Sequence, residues 1–66
     1  MELNQFEKKL LQKAQAGDPE AQYKLAGLYL SGEYGFPQDK QTAVDWYTKA
    51  ARRGSKEALI MLAVEL

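Results

Sequence analysis

Lys13-Ala14-Gln15-Ala16-Gly17-Asp18-Pro19-Glu20-Ala21-Gln22-Tyr23-Lys24-Leu25-Ala26 is replayed thirty-seven positions later as Ala50-Ala51-Arg52-Arg53-Gly54-Ser55-Lys56-Glu57-Ala58-Leu59-Ile60-Met61-Leu62-Ala63. At that offset Ala14/Ala51, Gly17/Gly54, Glu20/Glu57, Ala21/Ala58, Leu25/Leu62 and Ala26/Ala63 are identical. A recurrence at this interval marks units that bury their apolar faces only by stacking on neighbours. Each copy has the same internal grammar. Small residues lead to a glycine, a capping residue and an acid follow, and an apolar helical stripe begins.

Working outward from the two copies, four helices are predicted. The first runs from Asn4 to Ala16, with Leu3, Phe6, Leu10 and Ala14 on one face and Asn4 as its cap. Gly17 suits the left-handed position just past its end. Asp18-Pro19-Glu20 opens the second helix: Asp18 accepts from free amides, Pro19 fits the first helical position, and Glu20 meets the positive end of the dipole. Its inner residues are Ala21, Leu25, Leu28 and Tyr29, and it stops near Ser31-Gly32. Two glycines and a proline between Gly32 and Gln38 exclude helix there. Asp39 caps the third helix, which runs through Arg53 with Ala43, Trp46, Tyr47, Ala50 and Ala51 inward. Asp45 and Lys49 are spaced as an i,i+4 pair on its wet side. Gly54 stops it and Ser55 caps the fourth, whose stripe reads Ala58, Leu59, Leu62, Ala63 and Leu66. No useful stretch alternates with period two, so the fold is predicted to be all-α.

Sixty-six residues allow one small domain, and a chain of this length buries only about 60% of its unfolded surface. Cysteine and histidine are absent, which removes disulfides and thiolate chemistry and argues against a disulfide-built secreted scaffold. Nine acids balance nine bases, so there is no basic field for nucleic acid. No basic region followed by an apolar core begins the chain, hence no visible signal peptide. The longest apolar run, Leu59–Val64, is far short of the roughly 20 residues that span a bilayer. A cytoplasmic protein without membrane contact is the expectation.

The stretch Ala21–Gly54 resembles a Sel1-like repeat, a relative of the tetratricopeptide repeat. The residues that carry the likeness are Ala21-x-Tyr23-x-Leu25-Ala26-x-x-Tyr29-x-x-Gly32, then Asp39, then Ala43-x-x-Trp46-Tyr47-x-Lys49-Ala50-Ala51-x-x-Gly54. The resemblance implies antiparallel helix pairs, A on B, stacked into a right-handed superhelix. On that frame the chain parses as B–A–B–A: a B-like half repeat over 4–16, a complete repeat over 18–54 and an A-like half repeat over 55–66. Two departures stand out. Gly32 and Gly35 are separated by two residues where the family usually has one, which lengthens the period by one residue. Ala26 replaces a frequent glycine.

Catalysis finds little to work with. Ser31 and Ser55 have no histidine partner, Asp18 and Asp39 read as caps, and neither phosphate-binding glycine pattern occurs. The acids are scattered rather than clustered for a metal. No enzyme, cofactor or small-molecule substrate is expected. Two groups could bear function. Lys49, Arg52, Arg53 and Lys56 form a basic cluster around the third helix end, suited to complementing the helix dipole or to anchoring an acidic partner segment. On the second helix Glu20, Tyr23, Gly27, Leu30 and Ser31 form a stripe behind the core stripe, with Glu57, Ile60 and Val64 as counterparts on the fourth. The family resemblance implies that this face of the A helices lines a groove holding a peptide or partner helix. The same residues could instead pack on one another or on the first helix. The function expected is a non-catalytic protein–protein interaction module. The alternative is a self-assembling structural unit, or an excised or designed repeat fragment, that oligomerises through its open terminal helices. The fourth helix, apolar around most of its circumference, is the expected surface for self-association or partner docking.

Overall fold

Pro, Gly, Asp and Ser divide the chain where the periodicity says they should. The computed structural model describes residues 5–33 and 35–65, with the side chain of Glu65 left out. The expectations for Leu3, Asn4 and Leu66 lie outside these residues. Among the described residues there are four α-helices and no strand: α1 (Gln5–Gln15), α2 (Pro19–Ser31), α3 (Lys40–Arg52) and α4 (Lys56–Glu65).

The two copies of the repeated stretch fold into matching corners. At the first, Gly17 has φ 102°; its N–H donates to the Ala14 carbonyl at 3.1 Å, and the Asp18 N–H donates to that of Lys13 at 3.1 Å. At the second, Gly54 has φ 100°, its N–H donates to Ala51 at 3.0 Å, and the Ser55 N–H donates to Ala50 at 3.0 Å. Both are the paired-bond helix ending that satisfies two otherwise orphaned carbonyls and needs a residue without Cβ at its left-handed position. Each next helix is then capped in the same way. The Asp18 carboxylate accepts from the N–H of Glu20 (3.0 Å) and of Ala21 (3.4 Å), and the Ser55 hydroxyl oxygen accepts from the N–H of Ala58 at 3.1 Å.

The α2–α3 connection is built differently. Gly32 closes α2 at φ 74°, with its N–H donating to Leu28. The Asp39 N–H then reaches back to the Tyr29 carbonyl at 2.8 Å, and Gln38 Nε2 donates to that of Leu30 at 3.1 Å. Phe36 is pulled out of the loop into the core, 3% exposed, its ring edge-on to Tyr29 at 5.2 Å. Asp39 caps α3 as expected, accepting from the Thr42 N–H at 3.2 Å and hydroxyl at 2.8 Å.

Each helix packs on its sequence neighbours, α1 on α2, α2 on α3 and α3 on α4. The molecule is 13 Å thick at Cα, the depth of two helices in contact at about 8–10 Å between axes. Two core clusters hold it. Leu10, Ala14, Ala21, Leu25 and Phe36 lie between α1, α2 and the loop. Ala26, Ala43, Tyr47, Ala50 and Ala58 join α2 to α3 and α4. Six of these ten residues are alanine, which is why helices this short can approach closely enough to exclude water.

The inward faces are rotated from expectation at three places. Phe6 is 59% exposed while Glu7 is 4% exposed, so α1 turns its Glu7–Leu10–Ala14 face inward. Leu59 is 61% exposed and Ala63 is exposed; α4 instead meets α3 through Ala58, Met61 and Leu62. On α2, Gln22 joins the buried face beside Leu25 and Ala26. Adjacent residues on a helix lie about 100° apart, so a stripe read one position off exchanges inside for outside. Asp45 and Lys49 do not pair with each other. Gln41 Nε2 donates to Asp45 at 3.2 Å, and Lys49 Nζ sits 4.4 Å from the centre of the Trp46 ring, a cation–π contact.

Candidate partner-binding surfaces

Because the two corners match, the first turns of α2 and α4 present similar residues side by side. Glu20, Tyr23 and Glu57 line one recess of about 420 Å³ between them, together with Lys24 and Arg53. Lys24 Nζ pairs with Glu20 at 3.3 Å across one helical turn. Tyr23 is half-buried, its ring 5.8 Å from that of Tyr47 and tilted by 56°. It therefore offers the recess a ring edge that is already packed against α3.

The remaining members of the candidate stripe lie elsewhere. Leu30 packs against the second core cluster. Gly27 faces α3, where a Cβ would come within 3.6 Å of the Tyr47 hydroxyl, and it also borders a groove with Phe6, Leu10 and Leu28. Ser31 donates to the Gly27 carbonyl at 3.1 Å. Ile60 and Val64 stand exposed on α4, at 61% and 69%, outside the recess.

Of the basic cluster, Lys49, Arg52 and Arg53 line a second recess, about 480 Å³, between the ends of α1 and α3. Lys56 is exposed and borders neither. Arg53 belongs to both recesses. Its backbone N–H caps α3, and its guanidinium lies over Gly17, where a Cβ would be 2.9 Å away. Gln22 also borders the second recess: its Nε2 donates to the Ala14 carbonyl at 2.9 Å, while its buried Oε1 has no partner. Asp39 titrates below the ordinary carboxylate range, chiefly because the Thr42 hydroxyl and then its N–H donate to the ionised form. Among the described residues no group of three or more Asp or Glu side chains gathers where a metal ion could be held, and no helix is long and apolar enough to cross a membrane.

Sequence reasoning missed Gln22, Trp46 and Lys24 as recess-forming residues, and Phe6 as a groove wall. A signal existed for the first. Gln22, Leu25, Ala26 and Tyr29 follow helical spacing as well as the stripe through Ala21 does, and the counterpart of Gln22 in the second copy is Leu59.

With no strand among the described residues and two matching corners thirty-seven residues apart, the chain is an α-helical repeat protein. The profile of the Sel1 repeat matches residues 19–55, and the chain belongs to that family. Sel1 repeats mediate protein–protein interaction and are in general not catalytic. The chain is similar to Wolframin of Homo sapiens, 40% identical over 55 residues, which cover 80% of this chain and 6% of Wolframin. It thus spans a small fraction of that protein's length. No solved structure matches the chain.

Proposed function

We propose that this chain is a protein-binding module that holds an extended peptide segment in the recess between the first turns of α2 and α4. The helices are taken in B–A–B–A order as a short solenoid: 4–16 a B-like half repeat, 18–54 a complete repeat, 55–66 an A-like half repeat. The observation that carries the reading is the convergence of Glu20, Tyr23 and Glu57 with Lys24 and Arg53 on one concave surface. Acids and bases alternate around a half-buried aromatic edge, an arrangement suited to a peptide that brings both backbone amides and charged side chains. A cytoplasmic setting fits, since a chain without cysteine loses nothing to reduction. Neither nucleic acid, membrane nor a small-molecule substrate is assigned to it.

The test is selection from a displayed random-peptide library. Enriched peptides should bind the chain and lose that binding in Glu57→Gln and Arg53→Gln, both at exposed positions, with far-UV helicity recorded for each variant to show that it is folded. Absence of enrichment, or binding indifferent to both variants, rejects the recess. A second reading, self-association, has its own observation: Leu59, Ile60 and Val64 are each more than half exposed on one short helix.

A further inference from the structure

The self-association reading acquires a definite register from a junction already present inside the molecule. Helix α2 does not lie on α3 alone. Its Tyr23, Ala26 and Leu30 enter the cluster formed by Ala43 and Tyr47 of α3 with Ala58, Met61 and Leu62 of α4. One repeat-type helix is thus seated against the helix that follows it and the helix after that.

Moved back by one period, the receiving residues Ala43, Tyr47 and Met61 become Phe6, Leu10 and Lys24. All three border the same open groove along α1 and α2, which continues from Lys13 at one end to Leu28 and Ser31 at the other. Ala43 and Tyr47 are buried, at 0% and 2%; of their counterparts, Leu10 is already buried in the first core cluster, at 7%, whereas Phe6 is 59% exposed. The Phe6 wall of the groove is therefore an open counterpart of the covered Ala43 position, with no helix among the described residues lying there.

The complementary donor is on the same chain. Moved forward by one period, the inserted residues Tyr23 and Ala26 become Ile60 and Ala63. On α2 Ala26 is buried and Tyr23 half-buried; on α4 Ile60 is 61% exposed and Ala63 is exposed, flanked by Leu59 and Val64. The main packing partner of α4 is α3, while the acceptor groove runs along α1 and α2, so donor and acceptor are taken to meet between molecules. We propose that α4 of a second copy seats in the α1/α2 groove, Ile60 and Ala63 against Phe6 and the edge of Leu10 that borders the groove, repeating the α2 junction in trans. This contact is head-to-tail, so it leaves one acceptor and one donor free and grows into linear chains rather than stopping at a symmetric dimer.

The proposal rests on the self-association reading, and the experiment separates the two. Sedimentation velocity of the 66-residue chain should give an average mass that climbs above 7.5 kDa with concentration. Phe6→Glu blocks the acceptor and Ile60→Glu blocks the donor, each alone remaining monomeric. Both residues are exposed, so far-UV helicity is retained; Phe6→Gln and Ile60→Gln replace either that loses it. Mixed in equal amounts, the two blocked variants should form a species of twice the monomer mass and nothing larger, because each supplies the surface the other lacks. A wild-type chain that stays monomeric at every concentration overturns both the self-association reading and this register. A wild type that associates while either blocked variant still does so, or whose blocked variants ignore each other on mixing, overturns the register alone.

Discussion

Helices α2 and α4 begin alike and end in different company. Both follow a glycine at φ near 100°, both are capped by a side-chain oxygen at the residue after it, and both carry Glu, Ala, Leu and Ala at equivalent places. Yet Leu25 is fully buried and Leu62 half-buried, Ala26 is sealed and Ala63 exposed, Gln22 is inside and Leu59 outside. Local sequence decides where a helix starts and how it is capped. Neighbours decide which of its faces is dry: α2 is packed along both α1 and α3, whereas α4 packs mainly on α3 and meets α2 in the shared second core cluster.

The sharpest way to break this comparison is to truncate the two leucines. Leu25→Ala, in a site with no exposed surface, should destabilise the fold by about 3 kcal/mol, and Leu62→Ala by about 1 kcal/mol, because cavity and transfer terms scale with what is enclosed. Urea midpoints measure both, and equal losses would contradict the asymmetry. The opposite outcome is expected at the corners. Gly17→Ala and Gly54→Ala should each lose about 1–2 kcal/mol, since an L side chain is strained at that backbone angle. The guanidinium tip of Arg53 over Gly17 is flexible enough to yield, so the two losses should agree, and a large difference would separate corners that look equivalent.

Next in size comes a gain. Gln22→Leu, which gives α2 the residue its counterpart has at 59, should stabilise the chain by about 1 kcal/mol by removing a buried acceptor with no partner. The Ala14 carbonyl does not suffer, because the Gly17 N–H still donates to it. A drop in thermal midpoint instead would mean that the Gln22 Nε2 contact holds the α1–α2 corner.

The smallest effect concerns the N-cap of α3, which belongs to neither repeated corner. Asp39 binds protons more weakly when folded than when unfolded. Its contribution is therefore complete above the unfolded value, about 3.9 for a free aspartate, and disappears as pH falls through the lowered folded value. The midpoint difference between wild type and Asp39→Ala should accordingly shrink from about pH 7 to about pH 2. A constant difference would assign the cap to geometry rather than charge.

Much of this was legible in the residues. Gly17, Asp18, Gly54 and Ser55 speak through backbone needs that no tertiary contact overrides, and the four helices fall within a residue or two of their punctuation. Faces were harder to read. A stripe through Phe6, Leu10 and Ala14 and one through Glu7, Leu10 and Ala14 fit helical spacing equally well, and hydrophobicity favours the wrong one. The same ambiguity misplaced Leu59 and Ala63, since α4 is apolar nearly all round and leaves the choice of face to its packing against α3. The candidate stripe met a related difficulty. Its members share one helix face, but Leu30 and Gly27 are drawn towards α3, and only Glu20, Tyr23 and Glu57 gather in one recess. Arg53 could be recognised as a dipole partner, whereas its place in two recesses depends on how α1 and α3 sit, which no local pattern encodes.

The hairpin between α2 and α3 is nailed down at its two ends, by the left-handed Gly32 on one side and by Phe36 and the Asp39 amide on the other. Between those nails Glu33 adds two backbone hydrogen bonds, its N–H donating to Leu28 at 3.3 Å and its carbonyl accepting from Phe36 at 3.1 Å. An added residue there lengthens an already closed loop, a penalty that rises only logarithmically with size. The spacing between units can therefore drift by a residue over evolutionary time while the helices they join keep their alignment, which is how a thirty-seven-residue period can serve the same architecture as a shorter one.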